Sequence, residues 1–143
     1  MPTRKAHASW EGGLKSGKGE FGGESGAISG RYSFGSRFED AGGTNPEELL
    51  AAAEAACYSM ALSLALENEG SAPERVHTDA ACSIEKVGDG FKITRMKLTV
   101  RARVPGMDEE TFQRLAEATK EGCPVSGALI GNVDIELDAS LEQ

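Results

Sequence analysis

One long apolar segment limits what this chain can fold into. Thr44-Asn45-Pro46-Glu47 offers Thr44 as an N-cap, a proline in the first turn and Glu47 at the capping-box position. We therefore predict a helix over residues 44–69, with Gly70 as the C′ residue. Residues 49–66 are apolar on nearly every face, which is typical of a helix buried all round. Since a chain of 143 residues can hardly enclose such a helix alone, we expect a second subunit to cover part of it.

The segments around this helix predict a single domain over residues 1–143, of class α+β. Eleven of the 18 glycines lie in residues 1–43, which indicates short strands separated by turns. Alternating apolar residues predict two strands in 75–104 and a final strand in 132–140. Helices are expected in 108–131, where Asp108 is a fair N-cap and Gly122 ends the first of them.

Charge and hydropathy narrow the class of protein. The chain carries 15 Lys and Arg against 23 Asp and Glu, a net charge of −8. This charge argues against a protein that binds nucleic acids or anionic membranes in general. The polar segment after Met1 contains no apolar stretch, so we expect no secretory signal and a cytoplasmic location. Residues 49–66 fall short of the roughly 20 residues that span a bilayer, so we expect no membrane segment.

Two further patterns are weak. Residues 12–18, GGLKSGK, match part of a phosphate-binding loop, but Gly19 stands where Ser or Thr would hold magnesium. His7 and His77 make no metal-like spacing with the cysteines. We therefore expect neither a bound cofactor nor a bound metal.

The three cysteines, at positions 57, 82 and 123, form no CxxC pair. Cys82 falls on the apolar face of its predicted strand, where a cysteine acts as a small hydrophobe. Cys57 lies in the middle of the long helix, and Cys123 stands at the N-cap of a short helical segment that Pro124 begins. Local sequence alone leaves open whether Cys57 and Cys123 are core residues or reactive thiols.

Four segments together form a specific combination. They are Arg37-Phe38-Glu39, Thr44-Asn45-Pro46-Glu47-Glu48-Leu49, Ala55-Ala56-Cys57-Tyr58-Ser59-Met60-Ala61 and Gly122-Cys123-Pro124-Val125-Ser126. In these segments the chain resembles the osmotically inducible protein C / organic hydroperoxide resistance (OsmC/Ohr) family. The position of the arginine just before TNPEE is closer to the osmotically inducible branch.

The resemblance implies a thiol peroxidase that reduces organic hydroperoxides in oxidative or osmotic stress. Cys57 would be the peroxidatic thiol, Cys123 the resolving thiol, and Arg37 and Glu47 the polar partners of Cys57. The implied fold has antiparallel sheets wrapped around long central helices in an intertwined homodimer. Electrons would come from an external dithiol, for which the family suggests dihydrolipoyl groups on lipoylated proteins.

Several alternatives remain open at this stage. Glu47 precedes Cys57 by 57 − 47 = 10 residues, about 15 Å along a helix, so we predict that it serves the Cys57 of the partner subunit. It could instead only close a capping box with Thr44. Arg31 competes with Arg37, and the roles of Cys57 and Cys123 could be exchanged. We expect Arg37 to supply the cation that Cys57, in the middle of its helix, cannot obtain from its own helix N-terminus.

Two other functions compete with the peroxidase. The same cysteine pair could serve as a redox switch in a stress sensor without useful turnover. A dimer that binds a small molecule, with the cysteines as core residues only, is the other alternative.

Overall fold

A computed structural model describes residues 1–142 of the chain. By its internal contacts the chain divides into two compact units, Met1–Glu48 and a second that begins at Leu49. The first unit contains β1 (Ala6–Glu11), β2 (Lys18–Gly23), β3 (Ser29–Tyr32) and the short helix α1 (Phe34–Phe38). The three strands form one antiparallel sheet in the order β1-β2-β3. The short glycine-rich strands are therefore confirmed, and α1 is an element that the sequence did not predict.

Helix α2 (Pro46–Asn68) confirms the predicted long helix but not its predicted N-cap. The side chain of Asn45, rather than that of Thr44, accepts a hydrogen bond from the backbone N–H of Glu48 at 2.8 Å. Thr44 instead donates its hydroxyl to the Glu48 carboxylate. At the other end Gly70 has a φ of +106°, the left-handed conformation that favours glycine after a helix.

The second unit contains most of α2, a three-stranded sheet and two further helices. In chain order they are β4 (Arg75–Val87), β5 (Gly90–Arg103), α3 (Glu109–Gly122), α4 (Pro124–Leu129) and β6 (Asp134–Glu142). The predicted N-cap of α3 is confirmed, because the Asp108 carboxylate accepts from the backbone N–H of Thr111 at 2.9 Å. Cys123 precedes α4, with proline in its first turn, as predicted.

The direction of the last strand corrects the predicted sheet. β4 and β5 are antiparallel, but β6 pairs with β5 in parallel, from Arg95 opposite Asp134 to Arg103 opposite Glu142. Two parallel strands need a crossover connection that brings the chain back to the end of the sheet where the first strand began. Here α3 and α4 form this crossover between β5 and β6. The class α+β is confirmed, whereas the expectation of wholly antiparallel sheets is wrong for β6.

One face of α2 enters the core of the second unit. Tyr58, Leu62 and Leu66 are fully buried, and they share one cluster with the inward residues of β5 and with α3. The side chains of Met60 and Leu64 are exposed, at 78% and 58%. A single copy of the chain therefore buries only one face of the helix, and coverage of the other face by a second subunit stays a prediction.

The length argument against a membrane segment also needs correction. α2 has 23 residues, and an 18-residue window within it has a mean hydropathy of 1.6. By length and composition alone the helix could cross a membrane. The sequence estimate was too short because it counted only residues 49–66 and left out the polar turns at both ends.

Tyr58 anchors α2 to α3 through a buried hydrogen bond. Its hydroxyl donates to the carbonyl oxygen of Ala116 at 2.8 Å. We expect Tyr58→Phe to lower the free energy of unfolding by about 1–2 kcal/mol, because the Ala116 carbonyl loses its partner in the core. Urea denaturation at pH 7 measures the change. Tyr32→Phe is the control, since the contacts of that ring with Trp10 and Phe21 survive loss of the hydroxyl. Equal effects in the two variants would contradict this role for Tyr58.

Candidate active site

The structure brings Cys57 and Cys123 together. Cys57 lies in the middle of α2 and is half-buried, and Cys123 lies between α3 and α4 and is fully buried. Both are free thiols, and their side chains are in hydrogen-bonding contact. Two cysteines separated by 66 residues of sequence (123 − 57) thus form one thiol pair inside the second unit.

Cys123 lies at a sharp turn between α3 and α4. The backbone N–H of Cys123 donates to the carbonyl of Thr119, which closes the last turn of α3. Pro124 then begins α4, because proline suits the first position of a helix but cannot continue the preceding one. The chain therefore turns sharply at Cys123, next to the N-terminus of α4.

The surroundings of Cys57 act on its pKa in opposite directions. Burial, first of all, raises the pKa of the Cys57 thiol above its ordinary value, and the hydrogen bond with Cys123 raises it next. A hydrogen bond from the backbone of Val125, in the first turn of α4, lowers the pKa. The negative charges of Cys123 and Glu54 raise it further. The net effect in one copy of the chain is a raised pKa, and none of these contributing groups is a cation.

Val125 adds a contact to the sequence-based account of Cys57. We expected a nearby cation to act on Cys57, which lies far from the ends of its own helix, and that expectation stays a prediction. The structure adds the first turn of a different helix, α4, which donates a backbone hydrogen bond to the Cys57 sulfur. Sequence reasoning missed this contact because it joins residues that are distant along the chain.

A second cluster lies in the first unit and joins Arg37 to Glu47. The Arg37 Nε and Nη2 atoms both donate to Glu47 Oε1, at 2.9 and 2.8 Å. The Glu47 side chain is 7% exposed and that of Arg37 is 35% exposed. Among residues 1–142, Glu47 Oε2 is buried without a hydrogen-bond partner. Glu47 therefore pairs with Arg37 and does not close a capping box with Thr44.

The loop around α1 holds Arg37 in this position. Ser33 and Ser36 cap the helix reciprocally, with backbone N–H donors and hydroxyl acceptors at 2.8 and 3.0 Å. Ser36 also donates its hydroxyl to the Thr44 carbonyl at 2.8 Å, and its own carbonyl accepts from the Asn45 side chain at 2.9 Å. These bonds tie α1 to the first turn of α2, so that Arg37 reaches Glu47.

The structure also distinguishes Arg37 from Arg31, the other arginine that the sequence offered for the same role. The Arg31 side chain is 88% exposed, and its nearest carboxylate is that of Glu20 at 4.0 Å. An ion pair with this exposure contributes little. Of the two arginines, Arg37 is the one that forms a partly buried pair with Glu47.

The cluster around the thiols includes two residues that the sequence analysis did not select. Glu54 is fully buried on α2, three residues before Cys57, and one of its carboxylate oxygens accepts a hydrogen bond from the hydroxyl of Ser126 on α4. A usable signal was present, because Glu54 is the only charged residue within the apolar residues 49–66. Within residues 1–142, no three His, Cys, Asp or Glu side chains are grouped as a metal site.

The amino-acid sequence of the chain is similar to a known protein family and to individual members of it. Residues 39–138 match the model of a protein family described as OsmC-like protein. The chain is 46% identical over 140 residues to the peroxiredoxin OsmC of Escherichia coli (strain K12), covering 97% of this chain and 96% of that protein. It is 38% identical over 96 residues to an organic hydroperoxide resistance protein of Xanthomonas axonopodis pv. citri (strain 306), covering 66% of each.

Solved structures agree with these sequence matches. An organic hydroperoxide resistance protein from Elizabethkingia anophelis is similar with a TM-score of 0.76 and 26% identity, covering 99% of this chain and 98% of that one. An organic hydroperoxide resistance protein OsmC from Legionella pneumophila gives a TM-score of 0.74 at 26% identity, covering 98% and 99%.

Proposed function

The chain belongs to the OsmC-like protein family, and we propose that it is a peroxidase that reduces organic hydroperoxides to alcohols through Cys57 and Cys123. Relatives named as a peroxiredoxin and as organic hydroperoxide resistance proteins support an enzyme of the peroxidase type with a role in stress defence. The single observation that carries the mechanism is the contact between the two thiols in the core of the second unit.

The first step oxidises Cys57 by two electrons. The Cys57 thiolate attacks one peroxide oxygen, so that an S–O bond forms and the O–O bond breaks. The departing alkoxide takes up a proton and leaves as an alcohol, and Cys57 becomes a sulfenic acid. Half-burial of Cys57 leaves its sulfur open to a substrate, whereas full burial shields Cys123.

The second step joins the two cysteines. The Cys123 sulfur attacks the sulfenic sulfur of Cys57, an S–S bond forms, and the hydroxyl leaves as water with the thiol proton. The contact between the two side chains in the reduced protein supports this condensation. An external dithiol, for which we propose a dihydrolipoyl group on a lipoylated protein, then reduces the disulfide.

We further propose that a cation acts on Cys57 in the assembled protein, because the groups around it in one copy raise its pKa. Only the thiolate is nucleophilic, and the groups that act on Cys57 in one copy leave it mostly protonated at neutral pH. Arg37 is the candidate because Glu47 holds its guanidinium in a partly buried position. Glu47 and Cys57 lie ten residues apart on the continuous helix α2, about 15 Å along its axis. We therefore assign the pair that serves each Cys57 to the partner subunit.

The exposed apolar face of α2 supports a homodimer. Met60 and Leu64 lie on this face, and neither is covered by the chain's own second unit. Large exposed apolar side chains on one helix favour a protein partner. A second copy of α2 has the matching apolar face. We accordingly propose a homodimer. The net charge of −8 supports the further proposal that it is a cytoplasmic protein without nucleic-acid or anionic membrane partners.

A cavity beside Arg37 fits the apolar tail of an organic hydroperoxide. It has a volume of about 250 Å³ in the first unit, and it is lined by Trp10, Leu14, Tyr32, Ser33, Phe34, Arg37 and Phe38. Aromatic rings next to one cationic group suit a substrate with an apolar body and a polar end. Hydrogen peroxide has no group that could fill this space.

The cavity gives a prediction on substrate preference. We expect Phe34→Ala to raise KM for cumene hydroperoxide about tenfold, because an aromatic contact with the substrate tail is lost. The rate with hydrogen peroxide should change less than about twofold, since that substrate does not use the contact. Steady-state kinetics with both peroxides measure the two values. Phe91→Ala, an exposed aromatic residue of β5, is the control, and equal losses with both peroxides in Phe34→Ala would contradict the assignment.

Turnover with a dithiol distinguishes the enzyme from a redox sensor. A peroxidase oxidises many equivalents of dihydrolipoamide per protein when cumene hydroperoxide is supplied. A sensor forms the same disulfide once and then stops. A stoichiometric burst without further consumption would reject the proposed enzyme and favour the sensor.

A further inference from the structure

The buried carboxyl group of Glu54 has no role in the mechanism above. It lies on α2 among alanines, is fully buried, and shares a hydrogen bond with the hydroxyl of Ser126. Its second oxygen, Oε2, has no hydrogen-bond partner among the residues that the structure describes. Because a buried carboxyl group with an unsatisfied oxygen costs stability, its presence beside Cys57 calls for a physical reason.

The position of Ser126 indicates what the Glu54 carboxyl group does. Ser126 lies in the first turn of α4, three residues after Cys123 and next to Val125. This short helix therefore carries three things at its N-terminus: the Cys123 thiol, the backbone group that contacts the Cys57 sulfur, and the hydroxyl that binds Glu54. Any shift of α4 relative to α2 would therefore move both the Cys123 thiol and the Val125 backbone group away from Cys57.

Few other polar contacts hold the N-terminus of α4. Its N-cap residue, Cys123, makes no side-chain capping hydrogen bond. A helix of six residues has only a few backbone hydrogen bonds of its own, and its two flanking residues add one each, from Gly127 to Cys123 and from Ile130 to Ser126. The bond from Ser126 to Glu54 is thus a direct side-chain connection between α4 and the helix that carries Cys57.

We propose that Glu54 is a positioning residue for disulfide formation, which through Ser126 keeps Cys123 against Cys57. The inference rests on the proposed peroxidase chemistry and adds a residue pair to it. Attack of peroxide on Cys57 does not use the Cys123 thiol. A shift of α4 would remove both the Cys123 contact that raises the Cys57 pKa and the Val125 bond that lowers it, and because these effects oppose each other, the first step depends little on the connection. Condensation of the sulfenic acid with Cys123 requires the two sulfur atoms in contact, so the second step depends on it directly.

Two variants break the connection and one keeps it. Ser126→Ala removes the donor and Glu54→Ala removes the acceptor. Glu54→Gln retains an oxygen that can accept from Ser126 while removing the negative charge. Ser59→Ala is the matched control, because that serine donates to Thr78 on β4 and makes no connection to α4.

Rapid-mixing kinetics with one equivalent of cumene hydroperoxide resolve the two steps. Sulfenic acid is trapped with dimedone, and the disulfide is counted by mass spectrometry. We expect Ser126→Ala and Glu54→Ala to form sulfenic acid within about twofold of the wild-type rate but to condense about tenfold more slowly, as loss of one buried hydrogen bond implies. Sulfinic acid should then accumulate on Cys57 with excess peroxide. Glu54→Gln should restore condensation, and Ser59→Ala should match the wild type.

The same experiment separates the possible failures. Condensation at the wild-type rate in both Ser126→Ala and Glu54→Ala would overturn the inference and leave the peroxidase intact. Slow condensation in Glu54→Gln would also overturn it, because the charge and not the hydrogen bond would then matter. If Glu54→Ala fails to fold, Ser126→Ala decides alone, since it removes a single hydroxyl. Absence of any disulfide in the wild type would reject the proposed function and this inference together.

Discussion

Cys57→Ser is expected to lower the rate of organic hydroperoxide reduction at least about a thousandfold, because a serine hydroxyl is not a nucleophile towards peroxide at neutral pH. Cys57 is the half-buried member of the thiol pair, whereas Cys123 is fully buried. A stopped-flow assay with cumene hydroperoxide and dihydrolipoamide measures the loss. Cys123→Ser should instead retain the first turnover and stop at the sulfenic acid.

Cys82→Ser is the matched control for this prediction. Cys82 is half-buried on β4 and packs against the core cluster of the second unit. Its replacement by serine should leave turnover within about twofold of the wild type. Full activity in Cys57→Ser, or an equal loss in Cys82→Ser, would contradict the role of Cys57. Loss of the first turnover in Cys123→Ser, with Cys57→Ser still reactive, would mean that the two roles are exchanged.

Arg37→Ala is expected to have the second largest effect, about a hundredfold loss of activity at pH 7. Burial, the contact with Cys123 and the Glu54 charge all raise the pKa of Cys57, so the thiolate depends on an added cation. Without Arg37 we expect the pKa of Cys57 to return to the raised level that it has in one copy of the chain. Since a tenfold smaller thiolate fraction follows each unit of pKa, activity should recover as the pH is raised. The rate of iodoacetamide alkylation against pH gives the Cys57 pKa directly.

Two further variants test this assignment. Arg31→Ala is the control, because Arg31 is exposed and lies 4.0 Å from the nearest carboxylate, that of Glu20. Arg37→Lys should retain part of the activity, since it keeps the charge but loses the two donors that now bind Glu47 Oε1. An unchanged alkylation profile in Arg37→Ala would show that another group stabilises the thiolate. In mixed dimers of Arg37→Ala and Cys57→Ser chains, activity at half of the sites would support a contribution from the partner subunit.

The sequence predicted the long helix because its signals are local. Pro46 and Gly70 mark the two ends of α2, and the apolar run between them has no alternative interpretation as a strand. The N-cap was placed one residue too early, at Thr44 instead of Asn45, because both residue types cap helices well. Which of two adjacent capping residues is used depends on the loop before them, and here Asn45 is tied to the α1 carbonyl of Ser36.

Local sequence patterns could predict neither the direction of β6 nor the helix α1. Alternation along β6 shows which residues point inward, but a strand has the same alternation whether its neighbour is parallel or antiparallel. α1 contains Gly35 and is only five residues long, so it carries no periodic pattern that a sequence could reveal. Its structure depends on the reciprocal bonds of Ser33 and Ser36 and on contacts with Thr44 and Asn45.

The candidate site was predicted in part. Cys57, Cys123, Arg37 and Glu47 were selected from family motifs, and the structure gives two of the contacts among them, between the thiols and between the arginine and the glutamate. Glu54 and Ser126 were missed because each has an ordinary local interpretation, as a helix residue and as part of a turn. Only the fold shows that they meet, across 72 residues of sequence.

The most direct test of the account is the covalent state of the cysteines after peroxide treatment. Reduced protein is mixed with one equivalent of cumene hydroperoxide, alkylated, digested and examined by mass spectrometry. The proposed mechanism predicts one alcohol released per chain and one disulfide that joins the peptides of Cys57 and Cys123, with Cys82 alkylated as a thiol. Recovery of both Cys57 and Cys123 in the alkylated form, or a disulfide that involves Cys82 instead, would contradict it.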